Sequence, residues 1–211
     1  MKKFSREAEF RGSSTLQKLQ DFHVVIAGAG ALGSNLIEIL ARQGFGSIRL
    51  IDDDRVEEPN LGTQIYGFDD IGALKVNAAR SIIFREVETE IEAIHKRLTS
   101  TNVHKLLRGA DLVVDVFDNH QSRGVLFEHC ASDMPCLHAG LFEGYGEVVW
   151  NADYMVPEDS EEDLCDYPLA RNLINLVVSV AAEEIVDFAS AETPRRKSWS
   201  ITLKDLCISS Y

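Results

Sequence analysis

Cysteine is scarce in this 211-residue chain: Cys130, Cys136, Cys165 and Cys207 are all there is, and no two form a C-x-x-C pair. Structural zinc is held by ligand pairs at such spacing, so no zinc site is expected. Proline is equally scarce, with five residues. No Pro/Gly-rich linker, internal repeat or low-complexity tract divides the chain. One domain over 1–211 is therefore expected. No apolar run approaches the ~18 residues that span a bilayer, and the two lysines of MKKFSREAEF are not followed by an apolar stretch. Basic residues are outnumbered, 21 against 34 acidic, for a net charge of −13. Such a surface repels nucleic-acid phosphates and anionic membranes, so neither is an expected partner. A cytoplasmic protein with reduced thiols is the expectation.

What is present begins with HVVIAGAGALGS, residues 23–34, a short apolar strand that runs through a glycine-rich turn into a helix. Gly28, Gly30 and Gly33 fall at G-x-G-x-x-G spacing. The first permits a tight turn, the second lets backbone approach a phosphate, and the third lets helix pack against strand. The N–H groups at the start of helix 31–43, including those of Ala31 and Leu32, then face an anion. A second apolar run, 48–51, ends at Asp52, 19 residues beyond Gly33. A carboxylate there is placed to bind a ribose. The pattern predicts nucleotide binding and leaves open whether the nucleotide is a redox cofactor or a substrate to be cleaved.

Periodicity and capping signals predict helices at 13–21, 31–43, 73–87, 101–108, 120–131 and 168–188. Strands are predicted at 23–27, 47–51, 90–96, 111–116, 134–138, 146–150 and 198–204, the last closing the chain. Residues 1–22 form a helical arm, 53–72 a long irregular stretch, and 151–167 an acidic crossover loop. A connection as long as 53–72 is uncommon in an α/β domain unless it is functional. The fold class is α/β, Rossmann-like: a mostly parallel sheet with helices on both faces and antiparallel strands toward the C-terminal edge.

A lone glycine loop fits an NAD-dependent oxidoreductase. Its neighbours point elsewhere. Asp54, Asn60, Gln64 and Lys75 lie on or just after the long loop, and Asp118, Asn119 and Arg123 follow strand 111–116. In an open α/β sheet these segments meet at the carboxyl edge of the strands. Hydride transfer needs little of that polarity, whereas a triphosphate with a divalent cation needs carboxylate and lysine together.

These residues resemble the ThiF/MoeB/HesA family, bacterial relatives of ubiquitin-activating enzymes. The resemblance covers about residues 5–190 and is carried by GAGALGS at 28–34, DDDRV at 52–56, Asn60-Leu61 with Gln64, Gly72 with Lys75, and Asp115-x-x-Asp118-Asn119 with Arg123. It implies an ATP-dependent adenylyltransferase, using ATP and Mg²⁺, that activates the C-terminal carboxylate of a small ubiquitin-like sulfur-carrier protein ending in Gly-Gly. By position it implies ribose binding by Asp52, phosphate handling by Asn60, Gln64 and Lys75, and Mg²⁺ on Asp118. It also implies a homodimer in which Arg6 reaches the partner's ATP, with the apolar face of helix 168–188 as contact surface. The chain departs from the family at Thr63, where Asn-Leu-x-Arg-Gln has arginine; Arg11, Arg55 and Arg123 are candidate substitutes. A carrier-binding scaffold with weak or no adenylation is the reading that this departure leaves open. The zinc-binding C-x-x-C pairs are absent too, as in the family's short forms.

Cys165 precedes helix 168–188 in the acidic loop, where the family can place a cysteine that takes the activated carrier covalently; an inert thiol is the other reading. Cys130, Cys136 and Cys207 read as structural, and His138 as a satisfied core histidine. The acidic run 158–163 reads as a solvated loop.

Overall fold

The structure, a computed structural model, describes residues 2–131, 134–157, 168–193 and 196–211. Chain order gives α1 (Ser5–Arg11), α2 (Ser13–Asp21), β1 (His23–Ala27), α3 (Ala31–Gln43), β2 (Ser47–Asp52), α4 (Lys75–Val87) and β3 (Ile91–His95). Next come α5 (Val103–Leu106), β4 (Leu112–Asp115), α6 (His120–Cys130), β5 (Cys136–Phe142), β6 (Tyr145–Trp150), α7 (Arg171–Ser190), β7 (Trp199–Thr202) and β8 (Cys207–Ser210). Within 53–72 lie two short 3-10 turns, Glu58–Gly62 and Phe68–Asp70.

The described strands form one sheet in the order β3-β2-β1-β4-β5-β6-β7-β8. The first five are parallel, and β6, β7 and β8 are antiparallel. The order reverses at β1, and β1 pairs with β2 on one side and β4 on the other. A ligand crevice opens at such a switch point, outside the carboxyl ends of the strands.

Both faces of the parallel sheet are covered, as its continuous apolar strands require. On one face α3, α4 and α7 pack through Leu36, Leu40, Ile83, Ile174 and Val177 against Val24, Ile26 and Val114. On the other, the alternate residues Val25, Ala27 and Val113 meet Leu106 of α5 and Leu126 of α6. The apolar face of α7 is thus used up inside the chain, on the sheet and α3. Most of the surface that the sequence reading offered to a second copy is therefore taken up within the chain, although Leu176 and Val180 stay partly exposed.

Element boundaries shift in places. Helix 101–108 contracts to Val103–Leu106, and α7 starts at residue 171 rather than 168. Strand 198–204 does not close the chain. It ends at Thr202, and a turn through Leu206, at φ 48°, returns β8 along it. Cys207 lies exposed on this edge strand with Ser209 Oγ 3.4 Å from its sulfur, so it is not a buried structural cysteine; Cys130 and Cys136 are buried.

Candidate active site

The glycine loop has the local geometry its spacing predicts. Gly28 sits at φ +115°, and a Cβ there would lie 3.0 Å from the Val116 carbonyl oxygen. A Cβ on Gly33 would fall 1.9 Å from the Gly28 carbonyl oxygen, so only glycine lets α3 come this close to the turn. Gly30 differs: its Cβ would meet nothing within 4 Å, because it faces open space. That space is a cavity of about 800 Å³, lined at this end by Gly30, Ala31 and Leu32. The first-turn backbone N–H groups of α3 are available there for an anion.

Asp52 is placed otherwise than a simple ribose ligand on the wall. It is only 6% exposed and is not part of the cavity lining. One carboxylate oxygen accepts from the Ala29 N–H at 2.7 Å and the other from the Asp54 N–H at 2.8 Å. Asp52 thereby pins the glycine loop to the end of β2. Burial pushes its pKa above the usual carboxylate value, against the opposing pull of Lys75 and the two N–H groups. Asp54 does line the cavity and accepts from Lys75 Nζ at 2.8 Å. Lys75 opens α4 and is 7% exposed. Burial alone would lower its pKa, but Asp52, Asp54 and Asp118 outweigh burial and leave it raised. The group is therefore an ammonium ion at neutral pH.

The 3-10 turn at Glu58–Gly62 presents Asn60, Thr63 and Gln64 to the cavity. Asn60 Oδ1 accepts from the Glu57 N–H at 2.9 Å, which fixes the turn. Gln64 Oε1 is buried with no hydrogen-bond partner among the described residues. A buried, unsatisfied amide on a cavity wall is a place for a ligand group. Opposite, Asp118 is exposed on the wall and makes no hydrogen bond with a described residue. Asn119 plays another part, since its Oδ1 accepts from the Ser122 N–H at 2.8 Å and caps α6. Among the described residues there is no cluster of three or more His, Cys, Asp or Glu fit to hold a metal. Mg²⁺ needs less, since it commonly takes one or two carboxylates with the rest from phosphate and water. Asp118, which lines the same cavity as the glycine loop and makes no hydrogen bond with a described residue, fits that demand.

The candidate arginines separate clearly. Arg123 reaches the cavity although only 9% exposed, donating to the Phe117 carbonyl, to Tyr154 Oη at 2.8 Å and to the Ala139 carbonyl. Arg55 also lines it and donates to the Gly72 carbonyl at 2.7 Å. Arg11 does not: it forms a two-pronged ion pair with Glu183 of α7, 2.9 and 2.7 Å, and its third donor goes to Glu7. It clamps the N-terminal arm to the body and is no substitute at the cavity. Arg6 pairs with Glu9 on the surface, 92% exposed at its side chain, and does not line its own chain's cavity. His138 is a satisfied core histidine, held between Asp115 Oδ2 and Asn151 Oδ1 at 2.8 Å each and stacked on Tyr154. Cys165 and the acidic run 158–163 lie outside the described residues.

Two cavity residues carry no signal in the sequence. His120, whose Nδ1 lies 2.7 Å from the Pro157 carbonyl oxygen, stands beside Asp118. Glu147 lines the cavity with Gly140 and Tyr145, on the β5–β6 hairpin.

Comparison with known proteins fits this arrangement. Residues 4–198 match the ThiF family. The chain belongs to that family. Among curated ThiF-type relatives, it is 33% identical over 134 residues to the SAMP-activating enzyme E1 of Haloferax volcanii, covering 62% of this chain and 50% of that protein. It is 32% identical over 151 residues to the sulfur carrier protein ThiS adenylyltransferase of Bacillus subtilis, covering 68% and 45%. It is 36% identical over 140 residues to the sulfur carrier protein adenylyltransferase of Thermus thermophilus, covering 65% and 52%. The chain spans about half the length of these relatives. The crystal structure of E. coli MccB with MccA-N7isoASN superposes with a TM-score of 0.85, covering 99% of this chain and 71% of that one at 22% identity, which establishes the shared fold. No helix of the described residues is long and apolar enough to cross a membrane.

Proposed function

We propose that this ThiF-family chain is an adenylyltransferase that uses ATP and Mg²⁺ to activate the C-terminal carboxylate of a small ubiquitin-like sulfur-carrier protein. The observation that carries this reading is the meeting, in one cavity, of the glycine loop, a buried Lys75 paired with Asp54, and an Asp118 that makes no hydrogen bond with a described residue. The names of the relatives supply the substrate class.

On this reading the α3 N-terminus takes phosphate through backbone N–H groups, with Lys75, Asn60 and Gln64 around it. Ribose hydroxyls meet Asp54 on the wall and the lone pairs of Asp52 not used by the loop. Asp118 would hold Mg²⁺, which supplies charge neutralisation at the phosphates. The carrier's terminal carboxylate oxygen attacks the α-phosphorus, forming the acyl phosphate bond as pyrophosphate leaves. No protein nucleophile is required for this step. Lys75 contributes by placing positive charge where negative charge gathers, and the loop by fixing the angle of attack. Cys165 is proposed only for a later covalent step.

A homodimer in which Arg6 enters the cavity of a second copy also belongs to the proposal. Its test is complementation: mixed Arg6→Ala and Lys75→Ala subunits should regain part of the activity that each lacks alone. An active, strictly monomeric protein would refute it.

The direct test of the nucleotide is titration with ATP and with NAD, with and without Mg²⁺. Mg²⁺-dependent ATP binding is expected. Tight NAD binding independent of Mg²⁺ would replace this reading with an oxidoreductase, and ATP binding without turnover would indicate a carrier-binding scaffold.

A further inference from the structure

We infer that Arg171, the first residue of α7, supplies positive charge to the phosphate side of the cavity; this rests on the ATP reading above. The cavity is short of cations. Its described lining carries the carboxylates of Asp54, Glu57, Asp118 and Glu147 against the charges of Arg55, Lys75 and Arg123. Lys75 and Asp54 form an ion pair, which leaves Arg55 and Arg123, both hydrogen-bonded to neutral groups, against Glu57, Asp118 and Glu147. Thr63, on the wall beside Gln64, brings no charge at all. A polyanion entering here meets a net negative surround.

Arg171 corrects this from outside the lining. Its Nη1 donates to the Thr63 carbonyl oxygen at 2.6 Å, while Leu169, two residues earlier, is itself part of the wall. The guanidinium is thus fastened to the backbone of a residue in the cavity wall. The bond is not needed to satisfy that carbonyl, which already accepts from Asn35 Nδ2 of α3 at 2.8 Å. Arg171 is also exposed, so it adds little packing. A second donor on a satisfied carbonyl, from an arginine with little to bury, fits a charge held in place better than a structural strut. Although solvent screens an exposed charge, one unit charge beside a polyphosphate that carries several negative charges changes its affinity by about tenfold.

The test compares binding of ATP and of adenosine, which has no phosphate, to wild type, Arg171→Ala, Arg171→Lys and the double variant Arg171→Ala/Thr63→Arg, each checked for an unchanged unfolding midpoint. Arg171→Ala should bind ATP about tenfold more weakly and adenosine as before. Arg171→Lys, or an arginine placed on the wall itself by Thr63→Arg, should recover most of that loss. Unchanged ATP affinity in Arg171→Ala, an equal loss for adenosine, or recovery by neither variant overturns the inference while the ATP reading stands. A wild-type protein without ATP affinity overturns both.

Discussion

The parallel centre of the sheet and its antiparallel edge are built on opposite terms. In the centre β1 and β4 are buried along almost their whole length, on both faces, and carry the glycine loop and the turn to Asp118 at their carboxyl ends. At the antiparallel end β8 is exposed at every residue, and Ile201 is the buried residue of β7. The first arrangement gives precision: a strand fixed from above and below holds the loop that follows it. The second contributes a wall, through Gly140 and Glu147, and a rim that tolerates change. The junction is fastened by Glu184 of α7, whose two oxygens accept from the indole N–H groups of Trp150 and Trp199 at 3.3 and 2.6 Å.

Substitutions should sort along this gradient. Gly33→Ala forces a Cβ into the space 1.9 Å from a backbone oxygen, where nothing flexible can yield. It should cost on the order of 3 kcal/mol in denaturant unfolding and weaken ATP binding by about 100-fold or more. Glu184→Ala leaves two indole donors unpaired and should cost about 2 kcal/mol while ATP affinity stays within about twofold. Ile208→Ser, on the exposed edge strand, should change stability by less than about 0.5 kcal/mol and binding not at all. If Ile208→Ser proves as damaging as Glu184→Ala, the edge is buried by another surface in the working protein and the contrast fails.

The same gradient governs what can be read from the chain. Strands buried on both faces leave continuous apolar runs, so β1, β2 and β4 and the three glycines stand out in order. An exposed strand leaves no pattern, and CISS at 207–210 gives no strand signal for that reason. Asp52 is legible as important because it ends β2 beside the glycine loop. That its oxygens bind the loop's own backbone is a tertiary fact no spacing discloses. Arg11 looks available for the cavity because sequence gives no distance; the fold turns it to Glu183. His120 and Arg171 carry no motif; only the fold brings His120 of α6 to the cavity and Arg171 of α7 to the Thr63 carbonyl.

Activation of a carboxylate with ATP is the step proposed for this cavity. Carrier-dependent exchange of labelled pyrophosphate into ATP measures that step alone, without any later sulfur transfer. Exchange is expected when a small carrier ending in Gly-Gly is present, with dependence on Mg²⁺ and a loss of about 100-fold or more in Lys75→Met with its fold intact. Exchange should persist in Cys165→Ala. ATP binding without exchange for any carrier ending in Gly-Gly, or full exchange in Lys75→Met, would contradict it.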